Sequence, residues 1–285
     1  MANRNLIPGR AYSLTPYCGG CMSEEGRQLD IDPGAGRSAA ADRGRRRGDA
    51  GSRPLDRYQL HVWVAKATRG GDPRLLTQGE ASRAGGFHQP ADRRRFVAGR
   101  SFTRTLLGGY LGETGESLRF HHGPTGKPLL RGQPIHFNLS HSGEVLVCAI
   151  AAVDVGVDVE SRESVGDPED LFGRVLSRRE EEWVRSLGPD EMPEAFLRTW
   201  VRKEAVSKGI GEGLGLAFPT IETPMSLQAS GSRVRVRGRR GERWFVWDVP
   251  IAPGWASAVA APTSRMEVRR FDWDGGRIGP GADRK

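Results

Sequence analysis

The chain alternates between short runs of period two and longer runs of helical period, and these runs mark its elements. Residues 58–64, Tyr-Gln-Leu-His-Val-Trp-Val, alternate and are rich in aromatic and β-branched side chains, which predicts a strand. Residues 91–111 predict a long helix, with Phe96, Val97, Phe102, Leu106, Leu107 and Tyr110 forming its apolar stripe and Asp92 in its first turn. A loop punctuated by Gly and Pro follows at 123–128, then strands at 135–139 and 145–153. A second half opens at Asp154. Ser177-Arg-Arg-Glu180 has the form of a capping box for a helix that contains Trp183 and Leu187. Residues 193–208 predict another helix, stopped by Gly209, Gly211 and Gly213. Residues 233–237 and 243–249 predict a hairpin across Gly238-Arg-Arg-Gly241, and 255–261 a last apolar strand.

Each half thus runs strands, long helix, strands, and the apolar segments 145–150 and 256–260 fall late in each. The expected fold class is α+β: a pseudo-dimer of two similar lobes, each a small antiparallel sheet packed with a long helix. The lobes are expected at 58–153 and 154–273, with a flexible tail at 274–285. Residues 1–57 carry ten Arg, seven acidic residues and few large apolar side chains. Such a segment buries too little apolar surface to offset chain entropy, so disorder is expected there.

The chain is 37% hydrophobic and 27% charged, and it has no run of about 18 apolar residues and no signal-peptide core at its N-terminus. A cytoplasmic protein without a membrane span is expected. The net charge of +8 is compatible with nucleic acid, phosphorylated small molecules or acidic proteins as partners. The arginines are scattered, without interleaved aromatics, which argues against a nucleic-acid surface. Cys18-Gly-Gly-Cys21 has metal-site spacing but no second ligand pair follows, and Cys148 lies in an apolar strand as a core residue.

Three stretches carry candidate chemistry. In Val153-Asp-Val-Gly-Val-Asp-Val-Glu160 the odd positions are all valine, and the even ones are Asp154, Gly156, Asp158 and Glu160. A strand places the valines on one face and the acids on the other. Carboxylates two apart on one face repel unless solvent screens them or a cation lies between, and hard oxygen donors of this type suit Mg²⁺. Gly156 leaves room for a close neighbour. In Trp200-Val-Arg-Lys-Glu-Ala-Val-Ser-Lys208, Glu204 and Lys208 share a helical face, as an ordinary surface pair would, but Phe196 and Trp200 precede them on that face. Lys127, Ser140 and His141, close to turns, are possible donors to phosphate oxygens. Ser140 and His141 are adjacent on an extended segment and point to opposite faces, so they do not read as a nucleophile and its base.

In this order, Gly126-Lys-Pro128, Phe137-Asn-Leu-Ser-His-Ser142, Gly156-Val-Asp-Val-Glu160 and Trp200-Val-Arg-Lys-Glu-Ala-Val-Ser-Lys208 resemble the motifs of the 4′-phosphopantetheinyl transferase superfamily, in its Sfp-type, two-lobed branch. The likeness spans residues 58–273. It implies transfer of the 4′-phosphopantetheine arm of coenzyme A to a serine of an acyl or peptidyl carrier protein, with release of 3′,5′-ADP. Such carrier activation serves fatty acid, polyketide and nonribosomal peptide synthesis. The resemblance further implies Asp158, Glu160 and Glu204 as Mg²⁺ ligands and Glu204 as base. Lys208 is implied at the leaving pyrophosphate, and Lys127, Pro128, Ser140 and His141 at coenzyme A. Arg83 and Arg95 match the basic residues of the first lobe, whereas the earlier position of that basic pair is Glu80 here. A monomer is implied, the pseudo-dimer being internal.

Two other readings compete: a Mg²⁺-dependent phosphohydrolase that uses the same three carboxylates, with water as nucleophile, on a nucleotide-like pyrophosphate, and a non-enzymatic, basic nucleic-acid-binding protein. A chain shortened to begin near Arg53 is expected to keep its melting temperature and its activity; a large loss in either, by thermal unfolding or turnover, would show that the leading segment packs on the body.

Overall fold

The computed structural model describes residues 55–275 except 131, 133, 134, 213, 214 and 240. The disorder expected for 1–57 therefore falls outside the described residues as far as residue 54, as do Cys18, Cys21, the helix stop at Gly213 and the tail from 276.

Strand β1 is Gln59–Lys66. Helix α1, Gln78–Gly85, opens on a capping box in which Thr77 and Glu80 satisfy each other's backbone amides. Helix α2, Pro90–Leu111, has proline in its first turn and ends at Gly112, whose φ of 67° is left-handed. Strands β2, Phe120–His122, and β3, Pro128–Leu130, form a small hairpin. Strands β4, His136–Ser142, and β5, Val145–Ala151, pair antiparallel, followed by β6, Gly156–Ser161. Three short helices follow: α3, Arg162–Val165; α4, Phe172–Val175; and α5, Arg178–Arg185, which starts on the expected Ser177–Glu180 capping box. Helix α6 spans Met192–Ile210. The chain closes with β7, Ile221–Glu222; β8, Ser230–Val236; β9, Trp244–Asp248; β10, Trp255–Ala261; and β11, Glu267–Asp272. No helix among the described residues is long and apolar enough to cross a membrane.

Apart from the β2-β3 hairpin, the described strands form two sheets, ordered β11-β1-β5-β4 and β6-β10-β9-β8-β7. They stack as inner layers, with α2 outside the first and α6 outside the second. The alternation of each strand decides this. In β1 and β5, Leu60, Val62, Val64, Val147, Ala149 and Ala151 face the second sheet, where they meet Val155, Val157, Val159, Val259 and Ala261. The opposite faces, with Trp63, Ala65, Leu146, Cys148 and Ile150, take up Phe102, Leu106 and Leu107 of α2. Ala256, Ala258 and Ala260 of β10 present small side chains to Phe196, Val201 and Ala205 of α6, so that helix lies close to its sheet.

Three expectations need correction. Helix α6 does not stop at Gly209; it passes through it to Ile210 and ends at Gly211, with φ of 82°. The helix tolerates Gly209 because that position is crowded: a Cβ there would strike the Trp244 ring, and the Gly156 amide nitrogen lies 3.3 Å away. The first sheet is not wholly antiparallel, because β11 pairs parallel with β1. The range 154–273 therefore ends in a strand that belongs to the first sheet. Charged residues hide this strand's alternation, and only Val268 and Phe271 turn inward, Phe271 stacking on Trp63 at 4.7 Å between centroids. Finally, the 233–249 hairpin starts earlier, at Ser230, because Gly231 makes a bulge against Trp247.

Gly156 is the tightest point of the second half. A Cβ there would collide with the Ala205 carbonyl and the Gly209 amide and lie 2.8 Å from the Gly209 Cα. All of these are backbone atoms, which cannot swing aside. Gly156→Ala is therefore expected to destabilise the fold by about 3 kcal/mol or more, the upper range for overpacking. Denaturant unfolding reads this, and a loss below about 0.5 kcal/mol would contradict the close packing.

Candidate active site

The strand alternation of β6 puts its valines into the core between the sheets and its acids on the side of α6. Val155, Val157 and Val159 are wholly buried, each contributing on the order of 1.5 kcal/mol or more. That burial fixes the strand against the cost of crowding carboxylates on the other face. Because Gly156 lets α6 descend onto the strand, the helix face bearing Glu204 and Lys208 meets that acidic row. Lys208 Nζ donates to Asp158 Oδ1 at 2.5 Å and to Ser140 Oγ at 3.0 Å. The Trp200 indole N–H donates to the Glu204 carboxylate. Glu204 and Lys208 are therefore not a free surface pair.

The first sheet reaches the same place through β4. Its even residues all face β6. His136 Nδ1 lies 2.9 Å from Asp154 Oδ1, and Asn138 Oδ1 accepts from the Val157 amide at 2.9 Å. Ser140 Oγ donates to Asp158 Oδ1 and Ser142 Oγ to Glu160 Oε2, both at 2.7 Å. This seam joins the two edge strands by side chains in place of a backbone ladder. The odd residues of β4 face the other way: Phe137 enters the α2 core, and His141 lies within the fields of Asp92 and Arg95 on α2. Ser140 and His141 thus occupy opposite faces, as the extended segment requires.

Charge accumulates at this junction. Burial pushes the Glu204 carboxyl up to about 7, with Asp158 and Glu160 adding to the rise and Lys208 and the Trp200 hydrogen bond opposing it. Burial, then Asp158, also raises Glu160, against hydrogen bonds from Ser142 and Ser164. Burial would depress the Lys208 ammonium, but Asp158, Glu204 and Glu160 outweigh it and raise Lys208 above the ordinary lysine value. Burial, then Lys208 and Arg95, lower His141 below the ordinary histidine value, against Asp158 and Asp92.

The remaining expected residues sit around this centre. Lys127 Nζ donates to the carbonyls of Val155 at 3.2 Å and Gly209 at 3.0 Å, and Thr125 Oγ1 donates to the Gly211 carbonyl. The turn before β3 is thereby docked on the C-terminal end of α6, where a cation complements the helix dipole. In this arrangement Lys127 serves backbone carbonyls. Pro128 opens β3 opposite His122. Arg83 lies over the Phe96 ring at 5.5 Å, and Arg95 pairs with Asp92. Glu80, the earlier position of the pair that is basic in the resembled motif, accepts from the buried Arg104 at 2.8 Å and holds the α1 cap. Arg104 itself donates to the carbonyls of Gly115 and Leu118. The carboxylate at 80 is part of the first lobe's framework.

Asp158, Glu160 and Glu204 share one junction but are not drawn into one coordination sphere: among the described residues no group of three or more His, Cys, Asp or Glu is gathered closely enough to hold a metal ion. Like charges repel, and each carboxylate is held by its own donors: Asp158 by Ser140 and Lys208, Glu160 by Ser142 and Ser164, and Glu204 by Trp200. The donor set nevertheless fits a hard divalent cation. It consists of carboxylate oxygens, and Asp158 Oδ2 is a buried oxygen without a hydrogen-bond partner.

Several residues of this site escaped the sequence reading. Ser142 and Asn138 hold the seam, and the alternation of Asn138, Ser140 and Ser142 with Phe137 and Leu139 was the available signal. Lys203, next to Glu204, is wholly buried. It pairs with Glu180 at 2.5 Å, and Glu180 also accepts from Thr223. No local pattern marks that contact.

Residues 154–260 match the model of the 4′-phosphopantetheinyl transferase superfamily, and residues 72–153 match that of the N-terminal part of a 4′-phosphopantetheinyl transferase. The two matches meet at the turn between β5 and β6. The chain is 36% identical over 166 residues to the 4′-phosphopantetheinyl transferase HetI of Nostoc sp., covering 56% of this chain and 67% of that protein. It is 32% identical over 204 residues to the 4′-phosphopantetheinyl transferase ffp of Bacillus subtilis, covering 66% and 88%. Against the 4′-phosphopantetheinyl transferase Sfp of Bacillus subtilis it is 29% identical over 201 residues, again 66% and 88%. With both halves of the chain matched in order and the motif residues gathered at the seam between the sheets, this chain belongs to the 4′-phosphopantetheinyl transferase superfamily, in its Sfp-type branch.

Proposed function

We propose that this chain transfers the 4′-phosphopantetheine arm of coenzyme A to a serine of an acyl or peptidyl carrier protein, at the junction of β4, β6 and α6. The observation that carries the reading is the meeting of Asp158, Glu160, Glu204 and Lys208, contributed by a strand and a helix that Gly156 allows to touch. The two sheets with their long helices act as lobes of a pseudo-dimeric monomer. In it α2 and β5 correspond to α6 and β10, and β11 returns to the first lobe.

Asp158, Glu160 and Glu204 would hold Mg²⁺, which neutralises pyrophosphate charge when bound. The chain's own groups do the rest. Glu204 takes the proton of the serine hydroxyl, and its raised proton affinity suits a base working near neutral pH. The serine oxygen forms a bond to the phosphorus that carries pantetheine, the bond from that same phosphorus to the bridging oxygen breaks, and the bridging oxygen leaves with 3′,5′-ADP. Lys208 is positioned to stabilise the leaving oxygens, and its raised pKa keeps it charged. His141 offers a hydrogen bond to phosphate, Ser140 reaches one only by turning its hydroxyl proton away from Asp158, and Arg83 and Arg95 line the approach for the nucleotide. Lys127 reaches a phosphate only by exchanging the carbonyls of Val155 and Gly209 for it. The basic surface favours an acidic carrier by electrostatic steering. The phosphohydrolase reading draws no support from the family.

The decisive assay is mass spectrometry of an apo carrier protein incubated with coenzyme A, Mg²⁺ and this protein. A gain of one phosphopantetheine group on a serine is expected, and release of 3′,5′-ADP with no protein modification would instead select the hydrolase. Asp158→Ala and Glu160→Ala are each expected to lower turnover at least about 100-fold while far-UV circular dichroism is unchanged. Near wild-type turnover of both at limiting Mg²⁺ would place the metal elsewhere.

Glu204 and Lys208 should separate. Glu204→Gln is expected to collapse kcat beyond rescue by Mg²⁺. Lys208→Ala should lower kcat and kcat/KM together, as for a contact that strengthens in the transition state. A mere surface pair would cost only about 0.5 kcal/mol of stability and leave both constants alone.

A further inference from the structure

The acid row on β6 is fixed by hydroxyls, and one of them has a single task. Ser142 is buried at 6% exposure, and its Oγ donates to Glu160 Oε2 at 2.7 Å. Its backbone is fixed as well. Ser142 is the last residue of β4, pairs with Val145 across the hairpin, and is followed by Gly143 in the left-handed region at φ 50°. The hydroxyl therefore approaches Glu160 from a rigid point on the first sheet. The second hydroxyl near that oxygen is less able to hold it. Ser164 Oγ lies 2.8 Å from Glu160 Oε2 but also 2.6 Å from the Ser161 carbonyl, and its one proton cannot serve both fully. Ser164 is also exposed, on the four-residue helix α3. Ser140, one pleat earlier on β4, is engaged with Asp158 and Lys208 and does not substitute.

We propose that Ser142 is a positioning residue: by holding one Glu160 oxygen from the first sheet, it orients the carboxylate towards the junction and sets the affinity of the site for its divalent cation. This rests on the reading of Asp158, Glu160 and Glu204 as cation ligands. The cation affinity then depends on the registry of β4 against β6, which is how the first lobe contributes to the site without supplying a ligand. Removing the hydroxyl leaves Glu160 Oε2 to the shared proton of Ser164, and the carboxylate is free to turn away. Partners of this kind typically change metal affinity about 10- to 100-fold when removed.

The test titrates Mn²⁺ into the full chain with coenzyme A and follows bound Mn²⁺ by electron paramagnetic resonance. Turnover at limiting and saturating Mn²⁺ and the melting temperature are measured in parallel. Ser142→Ala is expected to weaken Mn²⁺ binding at least about tenfold with its melting temperature close to wild type, and to recover most of its turnover at saturating Mn²⁺. Ser142→Thr, which keeps the hydroxyl, should bind as wild type does, and this rescue separates positioning from a packing defect. Ser164→Ala should have a smaller effect. Asp158→Asn provides the reference for the site itself. If Asp158→Asn loses Mn²⁺ binding but Ser142→Ala keeps it, Ser142 has no positioning role and the cation site stands. If Asp158→Asn binds Mn²⁺ as well as wild type, the cation site and the role of Ser142 fall together.

Discussion

Three carboxylates, Asp158, Glu160 and Glu204, are crowded into a largely buried junction, and the repulsion among them has to be borne by the surrounding structure. Charges in such a place are tolerated only when paired or hydrogen-bonded. Lys208 supplies the opposite charge, and Ser140, Ser142 and Trp200 supply donors. Burial first, and the neighbouring carboxylates after it, keep the proton affinities of Glu160 and Glu204 raised. An added positive charge would relieve that repulsion, which is the physical reason the junction suits a divalent cation and a pyrophosphate together.

The fold around the junction follows from the need to hold these groups in place. The valines of β6 are locked between the sheets, so the acids on its other face have little freedom to separate. Gly156 has no side chain, so α6 lies directly on the strand and its Glu204 and Lys208 are delivered to the acids. The helix is braced on its far side by the buried Lys203–Glu180 pair and by Arg202, which reaches Asp248 and the carbonyls of Pro224 and Ser226. Its C-terminal end is held by Thr125 and Lys127 from the first half of the chain. The site therefore lies where the two sheets and the last helix brace one another, and movement of any one of them changes the spacing of the charges.

Much of this was readable from local patterns. The alternation in 153–160 assigned the faces of β6 correctly, the Ser177–Glu180 box placed the start of α5, and the bounds of β10 are those the apolar run implied. Other features depend on contacts between distant segments. Gly209 reads as a helix stop, but in the fold it is a packing residue, because Trp244 and β6 press on it. Strand β11 carries four charged residues and pairs only through its backbone and two inward side chains, so its period is masked. Lys203 and Glu204 are neighbours in sequence with opposite surroundings, one buried against Glu180 and the other facing the acids of β6. Helical spacing alone does not tell which face is which. Lys127, at a turn, reads as a phosphate donor, but its contacts in the fold are the carbonyls of Val155 and Gly209.

Whether the acid row of β6 and the facing side of α6 form a cation and pyrophosphate site is decided by a crystal structure of the chain with coenzyme A and Mn²⁺, using anomalous scattering to locate the ion. The expected result is an anomalous peak at the carboxylates of Asp158, Glu160 and Glu204 and beside the pyrophosphate, with Lys208 on the pyrophosphate. A Mn²⁺ ion bound elsewhere, or a pyrophosphate seated away from Lys208 with those carboxylates unchanged, would contradict it.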